Sequence, residues 1–359
     1  MKVGIIARRG NFKLSSKLTG LWGYSVQRYI SILCDKLIKN SDNYFSVEKI
    51  ELGKGSSTLS RRTTLFFDLT FYNMRNFNIL HAPTPLPIKP VRIGVDTKVI
   101  TTSHGMHSVD RDGACYNIER ENQRIIDKIL GHFGEHGTLN SDYIIAVSSL
   151  TKKRAVDLGF SSKKVFVVNI GIDDKFINTP KTISKVNKNF VVGYLGPMYK
   201  RKNVIFAIDA FKKIKDQEIR FNVWGKKAYD YPNLIKARGG DKRISFMGIA
   251  PEHSLVSTYD TFDVFVYPTL CDQFPASLLE AQSRGIPVIT FKHGEISNEA
   301  RKYCIEAEDE YDMARIIEKI MRNGYSNKIR LDAMKYARSF TANKLALETM
   351  KVYKKVYNS

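Results

Sequence analysis

The sequence predicts an α/β protein built from two doubly wound, Rossmann-like domains in tandem. Three observations point there. The chain has 359 residues, more than one hydrophobic core ordinarily supports. Short β-branched runs alternate with amphipathic stretches, as in βα units around a parallel sheet. The alternation stops in a polar, aperiodic stretch at 177–189, which contains Pro180, and then restarts.

In the first half the pattern predicts strands at Lys2–Ala7, Ser46–Leu52, Ile79–Ala82, Lys98–Ser103, Tyr143–Ser148 and Lys164–Asn169, with helices including Ser25–Lys39 and Ile118–His132. After the linker, strands are expected at Phe190–Tyr194, Ile219–Trp224, Ile244–Met247, Val264–Tyr267 and Pro287–Thr290. Helices are expected at Asn203–Lys215, Ser277–Arg284 and Tyr311–Met321. In the first of these, Val204, Ala207, Ile208, Phe211 and Ile214 share one face. A last helix, Ala342–Tyr357, carries Leu345, Leu347, Met350, Val352 and Tyr353 in helical phase. The domains so defined are 1–176 and 177–341, with 342–359 as a separate terminal helix. No internal repeat or low-complexity tract is present.

Composition narrows the function classes. Hydrophobic residues make up 43% of the chain, which excludes a disordered protein. No apolar run approaches the roughly 18 residues of a membrane span, and Met1–Ile6 reads as a strand rather than a signal peptide. The four cysteines, Cys34, Cys115, Cys271 and Cys304, are scattered. Neither a disulfide framework nor a zinc ribbon is expected, and a reducing cytoplasm is the expected compartment. The 57 Lys and Arg against 36 Asp and Glu predict an anionic partner: nucleic acid, a phosphorylated small molecule or an acidic membrane surface. Residues 1–178 hold 26 basic and 16 acidic residues, so the surplus is spread over both halves. The densest stretch runs through Arg62, with 12 basic against 4 acidic residues.

Three stretches could carry chemistry. In Pro268–Ala281 a buried strand ends, a loop carries Asp272, and a helix begins near Ser277. Amides around Ala276, Ser277 and Leu278 at a helix start suit a phosphate, and Glu280, one turn in, could accept both hydrogen bonds of a ribose diol. An ordinary βα turn capped by Ser277 reads equally well. In Val192–Asn203 a strand runs into Gly196, and Lys200, Arg201 and Lys202 then precede a helix, where cations oppose the helix dipole unless an anion is shared. Three solvated side chains are the plain alternative. In Thr19–Tyr24, Gly20 and Gly23 allow close backbone approach, but there is neither a GxGxxG nor a Walker A pattern. His104 follows a strand at its carboxyl end, where α/β sites gather. His107, His132 and His136 add no third ligand at sensible spacing, so no metal site is expected.

Taken in order, these stretches resemble glycosyltransferase family 4, retaining nucleotide-sugar enzymes of the GT-B fold. Asp142–Ser148 followed by Val167–Phe176 is similar to the family's domain junction, and Gly196–Asn203 to its donor-phosphate loop. Phe246-Met-Gly248, Asp263–Pro268, Gly285–Val288 and the paired acids Asp272 and Glu280, with seven residues between, complete the set. Two positions depart from the pattern. Asp272 replaces the usual glutamate, and Pro197 stands where an arginine usually follows the glycine; Lys200 and Arg201 are nearby cations but not at that position.

The resemblance implies two facing Rossmann-like domains, the first acceptor-binding and the second nucleotide-sugar-binding, with the terminal helix packing back on the first. It implies transfer of a hexose from a nucleotide diphosphate sugar to a glycan, lipid-linked or other acceptor, without metal or other cofactor. Asp272, Lys202 and His104 would be catalytic. Gly20, Gly23, Gly196, Arg201, Lys202, Asp272, Phe274, Pro275, Ala276, Ser277 and Glu280 would bind the donor. Another GT-B enzyme, such as a nucleotide-sugar epimerase or a phosphorylase, is the alternative; a basic nucleic-acid-binding protein has charge alone in its favour. The segment Ser60–Tyr72, cationic then aromatic, reads either as a contact with an anionic bilayer or as a buried helix with a solvated basic flank, the second with a slight edge.

Overall fold

The computed structural model describes residues 1–8, 24–42, 44–52, 65, 67–84, 86, 88–105, 138–180, 189–228 and 230–359. These fall into two compact units. The first holds the described residues up to Gly171 together with Thr341–Ser359, and the second those from Ile172 to Phe340. The expected helix Ile118–His132, the Gly20 and Gly23 loop, and His107, His132 and His136 lie outside the described residues.

The first unit is built on a parallel sheet of six strands: β1 (Lys2–Arg8), β2 (Ser46–Leu52), β3 (Ile79–Ala82), β4 (Lys98–Ser103), β5 (Tyr143–Ala146) and β6 (Val165–Val167). Their spatial order is β2-β1-β3-β4-β5-β6. Strand side chains alternate between two faces, and each face has its own core. On one, Val3, Ile5, Ile79, Ile100 and Ile145 pack with Ile30, Leu33 and Leu37 of the helix Tyr24–Lys39 and with Leu345, Val352 and Tyr353 of the C-terminal helix Ala342–Tyr357. On the other, Ile6, Leu80 and Val99 meet Leu65, Leu69 and Met74. That is the doubly wound pattern, and the C-terminal helix does pack on the first unit. Thr341 caps that helix, its hydroxyl accepting from the Lys344 amide at 3.0 Å. A methyl at Gly171 would stand 2.6 Å from the Thr341 carbonyl oxygen, so the returning chain requires glycine there.

A buried polar chain crosses the first core. The His81 Nδ1 lies 2.6 Å from the Tyr353 hydroxyl and its Nε2 lies 2.8 Å from Thr102 Oγ1. Burial pushes the His81 imidazole down to about 3, so the ring is neutral at physiological pH.

The second unit repeats the plan. Strands β7 (Phe190–Leu195), β8 (Ile219–Trp224), β9 (Ile244–Gly248), β10 (Val264–Tyr267), β12 (Val288–Phe291) and β14 (Ile305–Ala307) form a parallel sheet in the order β14-β12-β10-β7-β8-β9. A two-stranded pair, β11 (Cys271–Asp272) and β13 (Glu295–Ile296), sits apart from it. Helix Val204–Lys213 packs against Glu310–Asn323 and Tyr231–Arg238, and helix Ala276–Ser283 against Asn327–Arg338.

Some elements differ from the sequence reading. Helices Ser149–Asp157, Tyr231–Arg238, Leu255–Asp260 and Asn327–Arg338 were not anticipated. Segment 172–176, expected in the first domain, packs with the second unit. The Phe176 ring meets Tyr259 edge-on, centroids 5.5 Å apart. Arg284, almost fully buried, donates to the carbonyls of Phe176, Thr179 and Pro180 while forking onto both oxygens of Asp260 at 2.8 and 2.7 Å. Cys34 and Cys304 are free thiols, whereas Cys271 is disulfide-bonded, which the scattered spacing did not suggest. No helix among the described residues is long and apolar enough to cross a membrane.

Candidate active site

The second unit gathers charged groups at the carboxyl ends of β7 and β10. Leaving β7, the chain passes Gly196 and Pro197 and winds into a 3₁₀ turn, Lys200–Lys202. Asn203 then adopts a left-handed conformation (φ 52°) and starts the next helix. The loop after β10 holds this turn from the other side. The Leu270 amide and the Thr269 hydroxyl both donate to the Arg201 carbonyl, at 2.8 and 3.0 Å. One backbone bond and one short hydroxyl bond, both to the Arg201 carbonyl, therefore fix the three-cation turn beside Asp272.

Lys202 is only 4% exposed. Its ammonium forms a close ion pair with Asp272 Oδ2 and donates to the Tyr267 hydroxyl at 2.5 Å. Tyr267 in turn donates to Asp272 Oδ2 at 2.6 Å, and Arg201 stands 3.7 Å from the same oxygen. Burial alone would raise the Asp272 carboxyl. The charges of Lys202 and Arg201 and the hydrogen bonds from Lys202 and Tyr267 outweigh it and hold the group well below the usual carboxylate range. Burial, and then the adjacent Asp272 charge, push the Tyr267 hydroxyl far above its ordinary value. Tyr267 thus stays a proton donor, and two cations share one carboxylate.

Gly196 stays close to its neighbours: a methyl there would come within 2.8 Å of the Tyr194 hydroxyl, which donates to the Pro197 carbonyl. Beside it, the Gly196 amide donates to the Trp224 carbonyl at 3.0 Å and the Gly225 amide to the Gly248 carbonyl at 2.7 Å. A methyl on Gly225 (φ 149°) would overlap the Gly196 carbonyl oxygen at 1.8 Å. Three glycines so bring the ends of β7, β8 and β9 into backbone contact and leave that edge without side-chain cover from these positions.

Helix Ala276–Ser283 has Pro275 at its cap, so Ser277 falls in the first turn rather than capping it. The ring of Phe274 packs on Phe340, centroids 5.7 Å apart. Glu280 lies on the buried face, and the Tyr259 hydroxyl donates to its Oε2 at 2.9 Å. Glu252, ion-paired through Oε1 to Lys175, is pushed up to about 7 by burial and by the Glu280 charge.

Of the expected residues, Arg201, Lys202 and Asp272 come into direct contact, and Gly196, Phe274, Pro275, Ala276, Ser277 and Glu280 occupy the neighbouring strand and helix ends of the same unit. His104 belongs to the first unit, at the end of β4. Its Nε2 donates to the Pro83 carbonyl at 3.0 Å, and Tyr29 meets its ring edge-on with centroids 4.8 Å apart. Tyr267, Tyr259, Gly225 and the Lys175–Glu252 pair were not singled out from sequence. Tyr267 reads there only as the end of a buried strand. Among the described residues no cluster of three or more His, Cys, Asp or Glu could hold a metal ion.

Two parallel sheets, with a cationic turn, Asp272 and the helix carrying Glu280 in the second unit, are the arrangement that the resemblance to a glycosyltransferase implies. The Glycosyltransferase Family 4 model matches residues 51–176 and the model for glycosyl transferases group 1 matches residues 189–323. The chain belongs to glycosyltransferase family 4, of the GT-B fold. The O-antigen biosynthesis glycosyltransferase WclY of Escherichia coli is 30% identical over 138 residues, 36% of this chain and 38% of WclY. The chain spans about two fifths of the length of most of the curated relatives it matches. Whole-length likeness is structural. Sucrose-phosphate synthase of Thermosynechococcus elongatus superposes with a TM-score of 0.71 at 14% identity, over 100% of this chain and 99% of that one. Anabaena HepE, solved in complex with UDP and glucose, superposes with a TM-score of 0.66 at 14% identity, over 99% and 100%.

Proposed function

We propose that the protein transfers a hexose from a nucleoside diphosphate sugar to a saccharide acceptor, glycan or lipid-linked, with retention of anomeric configuration. The second unit is the donor-binding unit in this reading, and the first holds the acceptor. The observation that carries it is the pairing of Lys202 and Arg201 with Asp272 at the strand edge, in the unit that also buries Glu280 on a helix whose cap offers no side-chain acceptor. The UDP and glucose held by HepE support a uridine donor, and the O-antigen role in WclY's name supports a surface-polysaccharide acceptor.

The chemistry asked of these residues is leaving-group stabilisation. As the anomeric C–O bond breaks, its electron pair goes to the diphosphate and the sugar ring becomes electron-poor. Lys202, Arg201 and the amides of Ala276 and Ser277 face the growing negative charge, and Asp272, released from Lys202 as the diphosphate takes over that ammonium, faces the ring. The shared carboxylate keeps the cations in place before the donor arrives, so the change on binding is the exchange of Asp272 for the diphosphate as the partner of Lys202. Glu280 accepts from the ribose hydroxyls.

A thermal-shift panel of UDP-, GDP- and dTDP-sugars identifies the donor, and calorimetry then measures its affinity. Glu280→Gln keeps the shape but loses the charge, and charged hydrogen bonds of this kind correspond to roughly 10- to 100-fold in affinity. Wild-type affinity in Glu280→Gln would remove Glu280 from the donor site. Absence of any nucleotide-sugar shift with the intact chain would overturn the proposed reaction.

A further inference from the structure

Leu65, the helical residues 67–71 and the loop after them send side chains in two directions. Leu65, Leu69 and Met74 are buried against Ile6, Leu80 and Val99. Phe67 and Phe71 are each 59% exposed and stack on one another, centroids 6.3 Å apart. They are four residues apart, so they occupy the same helix face one turn from each other. Tyr72 is exposed beside them. Burial, one of the two sequence readings, holds for the leucines and fails for Phe67, Phe71 and Tyr72.

The surface continues sideways through backbone pairing. The Val91 amide donates to the Leu69 carbonyl at 3.0 Å and the Met74 amide to the Arg92 carbonyl at 2.8 Å, with a parallel bridge between Met74 and Ile93. Val91, 62% exposed, is thereby paired with Leu69, which lies between the two aromatics in the chain, and Arg75 and Arg92, next to the Met74 pairing, are both exposed. Arg61 and Arg62 directly precede the segment in sequence. Among the described residues of segments 65–78 and 88–97, the carboxylates are half-buried Asp68 and exposed Asp96. Isolated exposed apolar residues are ordinary, but two exposed aromatics stacked on one another, with exposed Arg75 and Arg92 on the segments paired beside them, are not.

We propose that this face docks on the headgroup region of an anionic bilayer, with Phe67, Phe71 and Tyr72 entering the interface and Arg75 and Arg92 engaging lipid phosphates. Charge and exposed aromatics together select this occupant: a formal charge of +21 favours an anionic surface, and the stacked pair adds apolar contact that salt does not screen and that a bilayer interface accepts. Large aromatics with arginines beside them match the layered polarity of a lipid interface, apolar below and phosphate above.

The test uses the full chain without donor or acceptor, so it stands apart from the transfer reaction. Wild type should sediment with phosphatidylcholine vesicles containing phosphatidylglycerol and bind pure phosphatidylcholine roughly tenfold or more weakly. Phe67→Ser/Phe71→Ser should weaken anionic binding by roughly tenfold or more while melting like wild type, because both positions are exposed. In Phe71→Trp, difference emission from the added indole should shift to the blue on vesicle addition. No anionic binding by wild type at moderate salt, full binding by the serine double variant, or an unmoved indole spectrum would each overturn the proposal. So would a dimer of this chain that the double variant dissociates while vesicles bind neither form.

Discussion

Replacing Lys202 with methionine keeps a side chain of similar length in a buried position and removes the ammonium. Asp272 is then left with the Tyr267 hydroxyl at 2.6 Å and with Arg201 at 3.7 Å. Removing one member of a buried pair costs about 3–5 kcal/mol when nothing replaces it. Asp272 keeps two partners and its side chain is 21% exposed, so about 2 kcal/mol is expected here. In a domain of this size that lowers the melting midpoint by about 4–8 °C. The deficit should begin to close as pH falls below about 4, where the unfolded carboxyl takes up protons that the depressed native group still refuses. Adding Asp272→Asn removes the stranded charge and should restore most of the lost stability. Turnover should not return, because the cation meant for the diphosphate is still missing; such losses run to about 100- to 1000-fold. Calorimetry on both variants and nucleotide release with the matched donor separate the two roles. A Lys202→Met chain that melts like wild type refutes the energetic argument, and a double variant with wild-type turnover refutes the donor role.

Three other outcomes follow from the geometry. Gly225→Ala should cost about 2–4 kcal/mol in urea unfolding, because its methyl has no room beside the Gly196 carbonyl and its φ is unfavourable; native-like stability would mean that the strand ends are not in contact. His81→Gln should flatten the pH dependence of the first unit: between about 6.5 and 3 the unfolded chain binds a proton that native His81 refuses, so stability falls with acid by up to about 1.4 kcal/mol per pH unit. Urea midpoints at neutral and mildly acid pH read that slope, and an unchanged slope would clear His81 of the effect. Arg284→Met should destabilise the second unit by about 3–5 kcal/mol by stranding Asp260, and Arg284→Met/Asp260→Leu should recover much of it; failure to recover would shift the weight to the carbonyls of 176–180.

The parallel strands were legible because a strand buried on both faces is apolar along most of its length. Ile79–Ala82, where His81 is the one polar residue, and Val264–Tyr267 stand where they were expected, and all four residues of each are buried. Helices were legible where one face meets a core, as in Val204–Lys213 and Ala342–Tyr357. Ser149–Asp157 was not. Only Thr151, Arg154 and Ala155 of that helix are buried, and its apolar stripe is correspondingly thin. In the candidate site, ionic residues between a strand and a helix stand out in a sequence, whereas a tyrosine closing a buried strand looks like core. Tyr267 and Tyr259 act through their hydroxyls, and their partners lie 5 and 21 residues away, a pairing that only the fold discloses. The pairing of Asp272 with Lys202 likewise joins residues 70 positions apart, which no local pattern discloses.

The return of Ala342–Tyr357 to the first unit has a bearing on how the polypeptide comes off the ribosome. Its opening strand is made first, but the hydrophobic face of that sheet lacks Leu345, Val352 and Tyr353 until the closing residues emerge. Everything from Ile172 to Phe340 can assemble while that face waits, so the half translated earliest is the half completed last. A premature stop near Phe340 would therefore spare the later half and leave the earlier one with an open core, sticky and exposed to proteases.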